Sequence, residues 1–132
     1  MNNFRNSLAS LVALFVLAFA FSIASPAKAS AGTCTVNATA EEYLSPFGRI
    51  QNVQITAYSS STNDPILGGI EQTDASGNAT LSIAFRHPFN HGIYVKAALT
   101  GWDFRNKWDT TSDMVYLWCE NGANLNANFV GL

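Results

Sequence analysis

Charged side chains are scarce in this chain. Its 132 residues include seven Lys or Arg and nine Asp or Glu, which together make up 12% of the sequence. Without a basic stretch, the chain lacks the positive surface through which proteins bind nucleic acids or anionic membranes. Asn, Ser and Thr take the place of charge, a composition that suits an extracellular protein able to associate with copies of itself.

Recognisable catalytic patterns are also missing. No G-x-S-x-G motif occurs, and the serines stand in no other arrangement typical of nucleophilic catalysis. An acid pair for glycoside hydrolysis can be drawn from four carboxylates near the carboxyl end: Asp103, Asp109, Asp113 and Glu120. Because acids are expected on any polar surface, we predict no enzymatic activity and no cofactor.

Two segments contain residue types that commonly bind metal ions. His87 and His91 lie four residues apart, but only a helix would bring them together, and the intervening proline opposes a helix. Asp74, Ser76 and Asn78 offer oxygen ligands for calcium but lack the later acidic residue of an EF-hand loop. Loop and turn roles are the simpler interpretation, so we predict no metal site, and a metal shared by the two histidines stays an open alternative.

The one long apolar run lies at the amino end. After Arg5, the 16 residues from Leu8 to Ile23 carry no charge, and residues 27–29 have the A-x-A form of a cleavage site. We therefore predict a secretory signal peptide over residues 1–29 and a single mature domain over residues 30–132.

Two other interpretations of the amino end fit its residues less well. A membrane anchor would need roughly 20 apolar residues, more than the run provides. Lipidation at Cys34 is disfavoured because Thr33 stands where lipoprotein signals carry a smaller residue. Cleavage would leave five basic and nine acidic residues, a net charge of about −4, in a secreted protein that is extracellular or periplasmic.

Cysteine is limited to Cys34 and Cys119, both in the predicted mature part. In an oxidising compartment, two cysteines most simply form one disulfide. The bridge would close nearly the whole domain, and loop-closure entropy sets an upper stabilisation of roughly 4–5 kcal/mol. The alternative is a pair of buried free thiols.

Period-two alternation of apolar and polar residues predicts seven strands. They cover residues 34–41, 53–58, 66–73, 79–85, 93–99, 114–119 and 124–129. Turn residues separate them at 45–48, 63–65, 74–78, 90–92 and 121–122. Seven short strands in a domain of this size predict an all-β, antiparallel two-sheet sandwich. Cys34 and Cys119 fall on the apolar faces of the first and sixth strands, which is consistent with a bridge through the core.

Three motifs resemble prealbumin-like and carboxypeptidase-regulatory-like domains. Residues 48–58 (GRIQNVQITAY) resemble their G-x-x-x-x-V-x-V-x-A/L opening, and residues 73–81 (TDASGNATL) resemble their T-D-x-x-G hairpin. Residues 92–97 (GIYVKA), with Gly101 and Trp102, resemble the strand that follows. The resemblance implies an Ig-like or transthyretin-like sandwich. It leaves function open, because such domains serve as spacers, adhesin subunits, sugar-binding accessory domains and hormone carriers.

Aromatic residues cluster between Trp102 and Trp118. If Val115 and Leu117 face the core, Tyr116 and Trp118 face outward and form a platform for a sugar or a protein partner. The predicted binding residues are Trp102, Trp108, Tyr116 and Trp118. The alternative is that residues 102–108 fold over this strand and bury it.

A second polar pattern lies on the last strand. Asn124, Asn126 and Asn128 form an uncharged row, which resembles a sheet edge without the Lys or Pro that normally prevents edge pairing. Thr35, Asn37 and Thr39 would extend it. The alternative is an ordinary solvated outer face.

These patterns predict a secreted, non-catalytic β-sandwich that acts by binding or self-assembly, as a surface, matrix or filament subunit. Its partner would be a protein, including its own copies in a homo-oligomer or filament, or a polysaccharide. We expect no nucleic acid partner and no membrane insertion after signal cleavage. The first alternative is a carbohydrate-binding module that uses the aromatic cluster. The second is a small secreted enzyme, or an enzyme inhibitor that would act through loop 86–92 or loop 103–113.

Overall fold

A computed structural model describes residues 31–86 and 90–132 of the chain. The predicted signal peptide and His87 lie outside this part. The described residues form nine strands: β1 (Ala31–Glu42), β2 (Ser45–Arg49), β3 (Gln54–Ser59), β4 (Pro65–Gln72), β5 (Asn78–Arg86), β6 (Gly92–Ala98), β7 (Phe104–Asn106), β8 (Val115–Trp118) and β9 (Asn124–Gly131). They include no helix that is long and apolar enough to span a membrane.

The strands form two sheets that share one core. Sheet A has the order β2-β1-β9-β7, with β5 also paired to β1, and sheet B has the order β4-β3-β6-β8. Alternate residues of each strand face inward, so Val36, Leu81 and Phe129 of sheet A meet Ile55 and Val95 of sheet B in a fully buried layer. The all-β, two-sheet architecture predicted from the alternation is confirmed.

The predicted number of seven strands is wrong, because β2 and β7 were not foreseen. β2 forms where a turn was predicted. The chain instead reverses direction at Tyr43 and Leu44. The pairing of β1 with β2 places Arg49 opposite Glu41, and its register shifts between Glu41 and Glu42. Proline is tolerated in such a strand at a sheet edge. β7 has only three residues, paired to the end of β9, which is too short to give a periodic signal.

The predicted purely antiparallel pairing is also wrong. β1 and β9 run parallel, with Thr35 opposite Asn124 and Glu42 opposite Gly131. This parallel ladder places β9 between β1 and β7. The interpretation of the Asn row as a sheet edge is therefore wrong. Its side chains lie on the outer face of sheet A, where Thr39 Oγ1 donates to Asn128 Oδ1 at 2.8 Å.

The predicted disulfide is confirmed. Cys34 and Cys119 are bonded with their Cα atoms 5.6 Å apart, and both side chains are buried. Cys34 belongs to β1 of sheet A, and Cys119 directly follows β8 of sheet B. The bridge therefore joins the two sheets through the core.

A buried hydroxyl holds the turn that precedes β5. Thr73 is 2% exposed. Its Oγ1 donates to the Ile50 carbonyl at 2.7 Å and accepts from the Val53 amide at 2.9 Å. The next residue, Asp74, accepts the amides of Ser76 and Asn78 through Oδ1, which closes the turn. The threonine thus ties this turn to the segment that enters β3.

We predict that Thr73→Val destabilises the domain while Thr73→Ser is much milder. Valine has nearly the same shape but leaves a buried amide and a buried carbonyl unpaired, at a cost of about 1–3 kcal/mol in the free energy of unfolding. Serine keeps the hydroxyl. Urea unfolding of the three proteins measures the difference, and equal midpoints for valine and threonine would disprove the role assigned to this hydroxyl.

Candidate binding face

The outer face of sheet B carries a row of three tyrosines. Tyr58 of β3 lies opposite Tyr94 of β6, and Tyr94 lies opposite Tyr116 of β8. The first two rings are stacked, with centroids 5.0 Å apart and planes at 14°. The second and third centroids are 5.9 Å apart, with planes at 51°. We call Tyr58, Tyr94 and Tyr116 the tyrosine row.

Cross-strand contacts preorganise the tyrosine row. Aromatic pairs of this kind each contribute about 0.5–1.5 kcal/mol beyond their buried area. The hydroxyl of Tyr94 also donates to Asn63 Oδ1 at 3.2 Å. Tyr116, at the β8 end of the row, remains 65% exposed. The row therefore presents a fixed aromatic surface to solvent.

Trp118 extends this surface along β8. Its side chain is 57% exposed, and its Nε1 donates to Glu120 Oε1 at 2.8 Å. The ring of His91 lies beside it, with centroids 5.6 Å apart. His91 Nδ1 lies 2.6 Å from the carbonyl oxygen of Cys119, so the imidazole links the indole to the backbone at the disulfide.

An open groove of about 720 Å³ adjoins the tyrosine row. It runs from Asn52, just before β3, along that strand to Tyr58, and Trp102 also borders it. Most of its lining is polar and includes Asn52, Gln54, Thr56, Gln72, Lys96 and Asp113. The groove offers amide, hydroxyl and carboxylate groups beside an aromatic border.

The charges in the groove are paired. Lys96 Nζ lies 3.4 Å from Asp113 Oδ2, and both side chains are close to half exposed. A surface pair of this kind adds little to stability. Asp103, also in the lining, pairs with Arg105 at 3.1 Å. Because its charges are matched within the protein, the groove suits an uncharged polar ligand better than an ionic one.

The four predicted binding residues do not form one cluster. Tyr116 and Trp118 lie together on the outer face of sheet B. Trp108 is 76% exposed on the loop after β7, with Lys107 Nζ 5.3 Å from its ring centroid. Trp102 is half-buried against the core and stacks on Phe104 with centroids 6.1 Å apart. Since Tyr116 and Trp118 are exposed, the alternative in which residues 102–108 bury this strand is wrong.

Sequence reasoning missed Tyr58, Tyr94 and the amides of the groove. Each tyrosine alternates with apolar residues in its own strand, but nothing in the sequence gives the register that aligns the tyrosines across three strands. A usable signal existed, since three strands each carry one tyrosine on the predicted polar face. Gln54 gave no comparable signal.

The carboxylates considered for catalysis have partners. Asp103 and Asp113 form the ion pairs described above, and Glu120 accepts from Trp118. Asp109 Oδ1 accepts from the backbone amide of Thr111 at 3.2 Å. Within residues 31–86 and 90–132, no three His, Cys, Asp or Glu side chains are grouped to hold a metal. Because His87 lies outside those residues, the question of a metal shared with His91 is untested.

Solved structures are similar to this chain at low sequence identity. The Bacillus anthracis TIE protein is 12% identical, with a TM-score of 0.56 over 76% of this chain and 17% of its own. GBS52, the minor pilin of Streptococcus agalactiae, is 14% identical, with a TM-score of 0.49 over 78% of this chain and 44% of its own. This chain thus spans less than half of either protein. No protein-family model and no curated protein matches it. The similarity to the TIE protein shows a common β-sandwich fold.

Proposed function

We propose that this chain is an exported, non-catalytic binding module that recognises an uncharged polysaccharide on the outer face of sheet B. The observation that carries the proposal is the tyrosine row at the border of a polar groove. Polysaccharide binding was the first alternative in the sequence analysis, and the register of β3, β6 and β8 now favours it.

The chemistry of the face matches that of a sugar chain. A pyranose ring has patches of C–H groups that pack on aromatic side chains, and hydroxyl groups that need donors and acceptors. The tyrosine row and Trp118 supply the aromatic contacts, while Gln54 and the other polar groups of the groove supply hydrogen bonds. A volume of 720 Å³ falls within the usual range of ligand sites, about 300–1,000 Å³. Because the groove is open along β3, a chain can lie in it and continue beyond it.

Export is supported by three independent features. The amino end has the pattern of a signal peptide, the disulfide is buried in the core, and the Asn row on the outer face of sheet A has the uncharged Thr35, Asn37 and Thr39 opposite it. Disulfides of this kind persist in oxidising compartments. We therefore propose an extracellular or periplasmic location, in a surface, matrix or filament assembly.

The prealbumin-like relationship belongs to the same proposal. Its motifs coincide with structural roles in the fold: Val53 and Thr73 hydrogen-bond to each other, and Gly77 has a φ of 72° in the turn that Asp74 closes. Glycine adopts such a backbone most readily, and a Cβ atom at this position would lie 2.6 Å from the Ala40 carbonyl oxygen. These roles support kinship in fold and say nothing about the ligand.

The proposal predicts that Tyr116→Ala weakens polysaccharide binding about fivefold or more, because truncating an aromatic anchor removes more than about 1 kcal/mol of binding free energy. Gln54→Ala should weaken it by a smaller factor through a lost hydrogen bond. Tyr43→Ala is the matched control, since Tyr43 is 55% exposed at the turn between β1 and β2 and is not part of the outer face of sheet B.

Affinity electrophoresis and calorimetry on neutral soluble glycans measure these effects. Thermal unfolding of each variant checks that the domain remains folded. The proposal fails if the unmutated protein binds no member of a broad neutral glycan panel, or if Tyr43→Ala weakens binding as much as Tyr116→Ala.

Self-assembly is the second candidate function. One observation favours it: among the strands that the structure describes, none pairs with the outer edge of β8.

A further inference from the structure

β8 ends sheet B and pairs only with β6 among the described strands. The Cys119 amide donates to the His91 carbonyl at 2.8 Å, so these two residues form a hydrogen-bonded pair. Hydrogen-bonded and non-hydrogen-bonded pairs alternate along an antiparallel ladder. Leu117 and Val115 then also form hydrogen-bonded pairs with β6. The backbone N–H and C=O groups of Tyr116 and Trp118 therefore point away from the sheet, along its open edge.

This edge lacks the usual protection against pairing. The four residues of β8 include no charge and no proline, the features that natural edges use to repel another strand. The opposite edge of sheet B is different. β4 begins at Pro65, has a positive φ of 79° at Gly68 and carries Glu71. β8 is thus the edge of sheet B at which a further strand can add.

We infer that a second copy of this chain pairs with β8, strand to strand and antiparallel, about a two-fold axis beside Leu117. In this register, Tyr116 and the second copy's Trp118 exchange both backbone hydrogen bonds, and the symmetry repeats the exchange on the other side of the axis. All four residues of β8 are then opposite another residue.

Charge and side-chain direction favour this register. Glu120 comes opposite Met114 of the second copy, so no like charges meet across the junction. In this register, residues that lie opposite each other have their side chains on the same face of the joined sheet. Leu117 therefore stays on the inner face, and Tyr116 comes beside the second copy's Trp118 on the outer face. An interface with the same strand on both subunits is the isologous arrangement of a two-fold dimer.

The dimer would join the two copies of sheet B into one eight-stranded sheet. The tyrosine row of each copy would then continue into the other copy's Trp118, and two grooves would open on the same face. This consequence rests on the proposed function, since two linked grooves raise the avidity for a polysaccharide that reaches both. The pairing itself requires no ligand.

Sedimentation velocity of the mature protein without glycan, from about 1 μM to about 1 mM, tests the pairing. We expect a reversible monomer–dimer equilibrium. Tyr116→Pro should abolish the dimer, because it removes an outward N–H without breaking a hydrogen bond to β6. Tyr116→Ala keeps that N–H and should retain a weakened dimer. A monomer throughout the range, or equal dimerisation of the proline and alanine variants, would overturn the inference.

A charge reversal at one position tests the register. Met114→Glu places two carboxylates opposite each other at both ends of the junction and should raise the dissociation constant about tenfold at low salt. Met114→Lys places Lys opposite Glu120 and should leave the dimer as strong or stronger. Equal effects of the two variants would rule out this register. Gln54→Ala separates the two proposals, because it should weaken glycan binding without changing the dimer.

Discussion

The disulfide between Cys34 and Cys119 is the contact on which the binding face depends. β8 has four residues and, within the described part of the chain, one neighbouring strand, which is little support for a strand that carries two exposed aromatic side chains. Cys119 directly follows Trp118 and is bonded to β1, a strand flanked on both sides within sheet A. Its amide and carbonyl also engage His91, whose ring lies beside Trp118. The bridge therefore holds the exposed end of sheet B against the core.

Local patterns in the sequence predicted the parts of this fold that local physics determines. Strands with one buried face alternate, so seven of the nine described strands were found near their observed positions. β2 and β7 left no comparable signal, since one contains Pro46 and Gly48 and the other spans three residues. The parallel pairing of β1 and β9 could not be predicted, because it joins segments from opposite ends of the domain and depends on how the sheets close.

In the candidate site, too, the sequence predicts the direction of side chains within one strand but not their alignment across strands. The alternation of β8 predicted correctly that Tyr116 and Trp118 face away from Val115, and the structure leaves them exposed. It could not predict that Tyr58 and Tyr94 align with Tyr116, since register across three strands is a tertiary property. Trp102 shows the opposite error. Proximity in sequence grouped it with the exposed aromatics, whereas it packs over Gly131 and Phe104.

Both proposals place function on sheet B, with the sugar chain on its outer face and the second copy at its β8 edge. The central claim is that the outer face of this sheet receives a neutral sugar chain, and mapping backbone amide chemical shifts during titration with soluble oligosaccharides tests it most directly. The account predicts that the perturbed amides cluster on β3, β6 and β8, around Gln54, Lys96 and Tyr116. It also predicts that Asn37 and Asn126, on the outer face of sheet A, stay unchanged. Perturbations centred on sheet A, or none with any neutral oligosaccharide, would contradict it.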